Sequence, residues 1–256
     1  MYGQEPGSQN GHYGLPGNSY ITEGEAAFYL SIPNLILDFC HRTPETLDQY
    51  RKLALACRPF KRVVGSIVGC SGQTDANDRD LVLHLASETQ NMTGVIMDDF
   101  FNKDRVGALS VEELRRVQRR LRSGNKKLDL WLILYDNQLD PAVNDYLALC
   151  DIITFWSLST LHELEQMPTS FAKLEKLAPH ARKMLGCYMY NFGESKPMPV
   201  SAMKFQCELA LKWIQEGRIQ GVIFDESDIC DFGFDAVEWT REWIRQVGDQ
   251  VLTVPG

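Results

Sequence analysis

Gly94-Val95-Ile96-Met97-Asp98-Asp99 and Gly221-Val222-Ile223-Phe224-Asp225-Glu226 are near copies: a glycine, three apolar residues and two acids. Apolar runs of similar length recur at 34–39, 62–68, 93–97, 129–135, 152–156, 184–190 and 220–224. They are continuous rather than alternating, the pattern of strands covered on both faces, as in a parallel sheet wrapped by its crossover helices. Between them stand helix-start signals: Thr43-Pro44-Glu45, the capping box Ser110-Val111-Glu112-Glu113, Asp140-Pro141, and Pro199 ahead of an amphipathic stretch to Glu216. The runs start about 31 residues apart, close to one eighth of a roughly 250-residue barrel. The expected fold class is therefore α/β, a TIM-type (β/α)8 barrel.

A capping box at Thr22-Glu23-Gly24-Glu25 opens a helix before the first clear run, so one more strand belongs within residues 1–20. That stretch is rich in Gly, Asn, Pro and Tyr and has no apolar run. The first strand is expected to be degenerate or missing, and the barrel distorted or incompletely closed. The domain reading is an irregular N-terminal arm over 1–21 and a single barrel domain over 22–256. A doubly wound open sheet is the runner-up, but no G-x-G-x-x-G or Walker sequence follows any run.

Composition narrows the function. With 44% hydrophobic and 23% charged residues in 256, the chain can bury a sizeable core and is neither disordered nor a disulfide miniprotein. There are 26 basic against 34 acidic residues, a net charge of −8, so the electropositive footprint that phosphate backbones need is missing and nucleic acid is not an expected partner. The longest apolar stretches, such as 128–135, fall well short of the roughly 20 residues of a membrane span, and residues 1–11 do not read as a signal peptide. Seven scattered cysteines, without a Cys-x-x-Cys pair, read as reduced core residues in a cytoplasm-like compartment; secretion of a longer precursor stays open, as does oligomeric state.

The two acidic pairs lie about four barrel units apart, which puts them on the fourth and eighth strands, across the axis from each other at the C-terminal ends where such barrels hold their sites. Asp98 and Asp225 share one strand phase, Asp99 and Glu226 the other. Strict alternation lets only one of each pair face the axis unless the strand end bends, so the choice within each pair stays open. The plain structural reading is that these acids cap helices or pair with Arg105 and other loop cations. Asp136 and Asp38 close two further runs, Trp156 and Ser157 a third, and Tyr188, Tyr190 and Asn191 a fourth. Carboxylates, an amide and flat aromatics around one mouth suit sugars, which offer hydroxyls to hydrogen-bond and C–H faces to stack, although burial is the commoner fate of any one aromatic. Glycosidic cleavage needs two carboxyl groups, one protonated and one ionised. Candidate catalytic residues are Asp98, Asp99, Glu226 and Asp136. Candidate substrate-binding residues are Asp38, Trp156, Tyr188, Tyr190, Asn191 and Asp225.

Of the five histidines only His41 follows a run closely, so no histidine metal site is expected. No metal or cofactor is assigned, but Asp38, Asp98 and Asp136 leave a magnesium-type oxygen site as an alternative. No Gly-x-Ser-x-Gly elbow, catalytic cysteine or strand-end lysine points to acyl transfer or Schiff-base chemistry. The arginines of 114–122 read as a solvated helix face, and Trp239 and Trp243 as a seal of the last helix onto the barrel, with a dimer interface the lesser use.

The order of elements, and the segment from Gly94 to Phe101 in particular, resembles TIM-barrel glycoside hydrolases over about residues 22–247, with no individual family assigned. The resemblance implies that Asp98 or Asp99, at the fourth strand end, is nucleophile or proton donor. Many retaining members carry a Glu at the seventh strand end; here Tyr190-Asn191-Phe192 stands. The second carboxylate then falls to Asp136, Asp225 or Glu226, with Glu226 preferred and Glu194 in reserve. The expected activity is hydrolysis of an oligo- or polysaccharide. A carbohydrate-binding barrel without catalysis and a divalent-metal isomerase or lyase are the alternatives.

Overall fold

The computed structural model describes residues 1–38, 46–157 and 161–250. Eight parallel strands, Tyr2–Gly3, Asn34–Leu37, Arg62–Val68, Met92–Met97, Asp129–Tyr135, Ile152–Trp156, Arg182–Tyr188 and Val222–Asp225, follow one another in sequence order around a nearly closed TIM-type barrel, with helices in the connections. The order has no reversal, so the doubly wound alternative, which needs a switch point, is ruled out. Strands read as continuous apolar runs are buried along most of their length, the central residues being sandwiched between helices and the barrel interior.

The local signals act where they were read. Thr22 and Ser110 each close a reciprocal capping box, opening helices Glu23–Tyr29 and Val111–Ser123, and Pro199 opens Val200–Gln215. The expected start at 43–45 lies outside the described residues; helix Leu47–Ala56 is capped by Thr46. The arginine-rich helix shows its charges to solvent, where Arg115 and Arg119 meet Glu112 and Arg120 meets Asp80. Trp243 packs edge-on to Phe224 at 6.2 Å, tying the last helix, Asp235–Val247, to the eighth strand. Among the described residues no helix is long and apolar enough to cross a membrane.

The first strand is indeed degenerate: two residues, inside the segment read as an irregular arm, with Tyr2 opposite Ile36 and Gly3 opposite Leu37. Apolar patterning cannot reveal a strand this short. A Cβ on Gly3 would lie 2.7 Å from Glu23 Cβ, so helix Glu23–Tyr29 can seat against this strand only because residue 3 is glycine. No ladder joins the first strand to the eighth. The seam is instead bridged by one hydroxyl: the Gln4 amide donates to Ser227 Oγ at 3.0 Å, and that hydroxyl donates to Gln4 O at 3.3 Å.

The seventh run ends earlier than its composition suggests. Its ladder stops at Tyr188, with a last bond from Met189 N to Asp225 O, and Tyr190–Asn191 leaves the barrel to pair antiparallel with Lys196–Pro197. Of the cysteines, 57, 150, 187, 207 and 230 are buried free thiols, as expected, whereas Cys70 lies at the mouth; Cys40 lies outside the described residues, as does His41.

Candidate active site

At the C-terminal end of the barrel a cleft of about 270 Å³ is lined by Asp98, Asp99, Asp225 and Glu226, together with Tyr2, Tyr135, Trp156, Tyr188, Phe192 and, from the N-terminal segment, Gln4, Gln9 and Tyr13. Both members of each acidic pair reach it. Asp98 continues the fourth strand, its amide donating to Val68 O at 2.8 Å, and so keeps the inward phase. Asp99 turns back toward the cleft because its backbone is left-handed (φ 42°), a conformation uncommon for a non-glycine residue. The neighbouring loop braces it. Ser71, itself left-handed at φ 60°, donates its amide to Asp99 Oδ2 at 2.7 Å, and a Cβ on Gly72 would lie 2.9 Å from Asp99 O.

Tyrosines organise these carboxylates. Tyr2 Oη donates to Asp98 Oδ2 at 2.5 Å, and Tyr135 Oη donates to Asp99 Oδ1 at 2.9 Å while standing 3.5 Å from Asp98 Oδ1. The Asp99 amide closes on Asp98 Oδ1 at 2.7 Å. Burial first, then the nearby carboxylates for Tyr2 and the Tyr188 phenol followed by the carboxylates for Tyr135, push both phenols well above their ordinary range, so both remain donors. Burial, with the Asp99 charge beside it, pushes Asp98 up to about 7. Desolvation likewise holds Asp225 and Glu226 well above the usual carboxylate range, reinforced by their acidic neighbours. Among the described residues no Lys, Arg or His lines the cleft to offset this charge, and Glu226 Oε1 is buried without a hydrogen-bond partner.

Trp156, Tyr188, Phe192 and Tyr13 form a continuous aromatic wall, with successive ring centroids 5.0, 5.8 and 5.2 Å apart. Trp156 is set by the strand beside it: a Cβ on Gly186 would lie 2.0 Å from the indole Cδ2, so the ring occupies the space left by that glycine. Its Nε1 donates to Thr154 Oγ1 at 2.8 Å. The N-terminal segment is strapped across the mouth by Asp228, which accepts from Ser8 Oγ at 2.9 Å and Gln9 N at 3.3 Å, and by Tyr190 Oη donating to Tyr13 O at 2.8 Å.

Four of the residues read from the sequence do not line this cleft. Asp38 is buried behind it, accepting from Ser66 Oγ at 2.6 Å and from the Cys70 thiol at 3.5 Å. Asp136 turns into a short 3-10 segment and accepts from Ser157 Oγ at 2.7 Å. Tyr190 packs between Phe192 and Phe234, and Asn191 caps the turn Phe192–Glu194, accepting from Glu194 N at 3.0 Å; both follow from the early end of the seventh strand. Glu194, the reserve acid, is held by Asn191 and Lys196. The trio Asp38, Asp98 and Asp136 therefore does not converge, and among the described residues no group of three His, Cys, Asp or Glu side chains is arranged to hold a metal ion. Tyr2, Tyr135, Gln4, Cys70 and Ser71 were not singled out from sequence. Tyr135 was within reach, since it closes an inward strand one residue before Asp136, but nothing in the composition of residues 1–20 marks Tyr2.

No protein-family model matches the sequence, and no curated protein is similar to it. Solved structures do match. The PgaB (BpsB) glycoside hydrolase domain from Bordetella bronchiseptica superposes with a TM-score of 0.56 at 11% identity, covering 87% of this chain and 90% of that one. A GH113 β-1,4-mannanase gives 0.57 at 10% identity over 96% and 97% of the two chains, and the catalytic domain of a family GH18 chitinase from the fern Peteris ryukyuensis gives 0.56 at 12% over 95% and 98%. An amidohydrolase from Burkholderia multivorans with bound zinc matches at 0.53 and 12%, covering 93% and 84%, so the shared architecture does not by itself select a reaction. The chain is thus a TIM-type (β/α)8 barrel whose structural neighbours are mostly glycoside hydrolases, a kinship of fold.

Proposed function

We propose that this barrel is a glycoside hydrolase acting on an oligo- or polysaccharide. The observation that carries the reading is the meeting of Asp98, Asp99, Asp225 and Glu226, from two strand ends distant in sequence, in one aromatic-walled cleft. Asp99, gripped by the Ser71 amide and the Tyr135 hydroxyl, serves as the attacking or water-activating carboxylate. Glu226, whose carboxyl burial and the neighbouring acids hold well above its usual range, gives its proton to the departing glycosidic oxygen; its Oε1 has no hydrogen-bond partner among the described residues. Asp98 and Asp225 complete the field around the developing oxocarbenium charge, and Trp156 and Tyr188 supply the stacking face. The glycoside hydrolases among the structural neighbours are in keeping with this.

Incubation with a panel of glycans tests it. Hydrolysis of at least one linkage is expected, with Asp99→Asn and Glu226→Gln each losing about 100-fold or more in kcat. Unchanged hydrolysis in Asp98→Asn, Asp99→Asn and Glu226→Gln would eliminate the assignment. The non-catalytic alternative would instead show saccharide affinity in calorimetry with no turnover on any linkage.

A further inference from the structure

The acids at the mouth are not equivalent in their hydrogen bonding. Asp98 receives Tyr2 Oη and the Asp99 amide, Asp99 receives Ser71 N and Tyr135 Oη, and Asp228 receives Ser8 Oγ and Gln9 N. Asp225 is only 7% exposed, lines the cleft, and has no side-chain hydrogen bond among the described residues. Beside it Glu226 Oε1 is likewise bare. A buried carboxylate without donors is a group whose partner arrives with something else.

The other lining groups say what that partner is. A divalent metal would need several oxygen donors converging on one point, and among the described residues no such group exists. The same cleft is lined by aromatic rings, Trp156, Tyr188, Tyr135 and Tyr13, with Tyr188 beside Asp225 on the neighbouring strand. Carboxylates set among ring faces are the surroundings that hold an organic ammonium group, which donates up to three N–H bonds and is attracted to π-clouds. A neutral sugar hydroxyl would gain one such bond and no charge neutralisation.

Building on the glycosidase reading, we infer that the cleft selects an amine-bearing sugar, a hexosamine with a free protonated amino group, and that Asp225 is the specificity-determining carboxyl group that receives it, the arriving cation favouring the ionised form that burial alone disfavours. The ammonium donates to Asp225 while Asp99 and Glu226 remain available for bond cleavage.

Calorimetric titration of the full chain at neutral pH with glucosamine, galactosamine and mannosamine, each against glucose, galactose or mannose, reads this directly. At least one amine should bind about tenfold or more tightly than its neutral match. Asp225→Asn should bring that pair within about twofold. Equal binding within every pair, no amine binding at millimolar concentration, or a preference that survives Asp225→Asn overturns the inference; should the variant fail to fold, the wild-type pairs still decide. The two readings fail separately. Cleavage of neutral glycosides with no preference for aminated ones removes the amine selectivity and leaves the hydrolase. Tenfold selective amine binding with no turnover of any aminated glycoside removes the hydrolase and leaves the selectivity.

Discussion

Replacing Gly186 by alanine asks one methyl group to occupy the space of an indole. The new Cβ would stand 2.0, 2.1 and 2.2 Å from three atoms of the Trp156 ring, where carbon atoms rest about 3.5–4.0 Å apart. The ring must therefore move by well over about 1 Å. It has little room to do so, being 2% exposed, 5.0 Å from the Tyr188 ring and tethered through Nε1 to Thr154. Overpacking of this kind costs about 1–3 kcal/mol, and the lost hydrogen bond about 1 kcal/mol more. For a domain of this size that corresponds to a Tm lower by roughly 4–16 °C. Gly221→Ala is the control, because its Cβ would meet only the terminal Met184 Cε, at 3.0 Å, which can swing aside. Thermal unfolding followed by circular dichroism should separate the two variants clearly, with the near-UV tryptophan signal altered only in Gly186→Ala. The double variant Gly186→Ala/Trp156→Leu should lose less stability than the two single losses together, since the clash is removed with the ring. Equal Tm values for Gly186→Ala and Gly221→Ala, with the same near-UV spectrum, would refute the placement of Trp156.

Three further outcomes are expected. Asp98 keeps its proton to about pH 7 in the fold but releases it near pH 4 when unfolded, so the folded chain binds more protons in that window and this carboxyl costs stability increasingly as pH rises. Urea unfolding should show Asp98→Asn gaining on the wild type by roughly 1 kcal/mol or more between about pH 4 and pH 7; a flat or falling difference would contradict the buried placement. Ser227→Ala removes the bridge across the seam and leaves the Gln4 amide unpaired, a cost of about 1–3 kcal/mol, with hydrogen exchange accelerated at Tyr2 to Gln4 and protection of that segment the contrary result. Tyr135→Phe takes one of two donors from Asp99 and should lower kcat/KM about tenfold or more on any glycan that is cleaved, with Tm changed by only a few degrees; full activity would remove Tyr135 from the site.

Much of this architecture was legible because parallel strands leave a coarse signature. Continuous apolar runs at even spacing and capping boxes such as Ser110–Glu113 gave seven of the eight strands and the order of the barrel. The missing information was short-range or lateral. A two-residue strand has no periodicity, so Tyr2, whose hydroxyl reaches Asp98, was invisible. The end of the seventh strand could not be located because Tyr188, Met189 and Tyr190 are alike in apolarity while only the ladder to Asp225 decides where pairing stops. Alternation misled at the acidic pairs: it assigns one member to the axis, but the left-handed turn at Asp99 brings the second carboxylate round as well. Asp136 and Asp38 share the strand-end position of the cleft acids and differ in their partners, Ser157 and Ser66, which no run of residues discloses.

The bracing of Asp99 also bears on how such a barrel can be re-engineered. Its carboxylate is positioned by main-chain shape on one loop and by an amide and a bare α-carbon on the next, at Ser71 and Gly72. The loops after the third and fourth strands are thus a matched set. Grafting either one alone from another barrel dismantles the arrangement even if every acidic residue is retained, so only exchange of the two together carries the chemistry into a new scaffold.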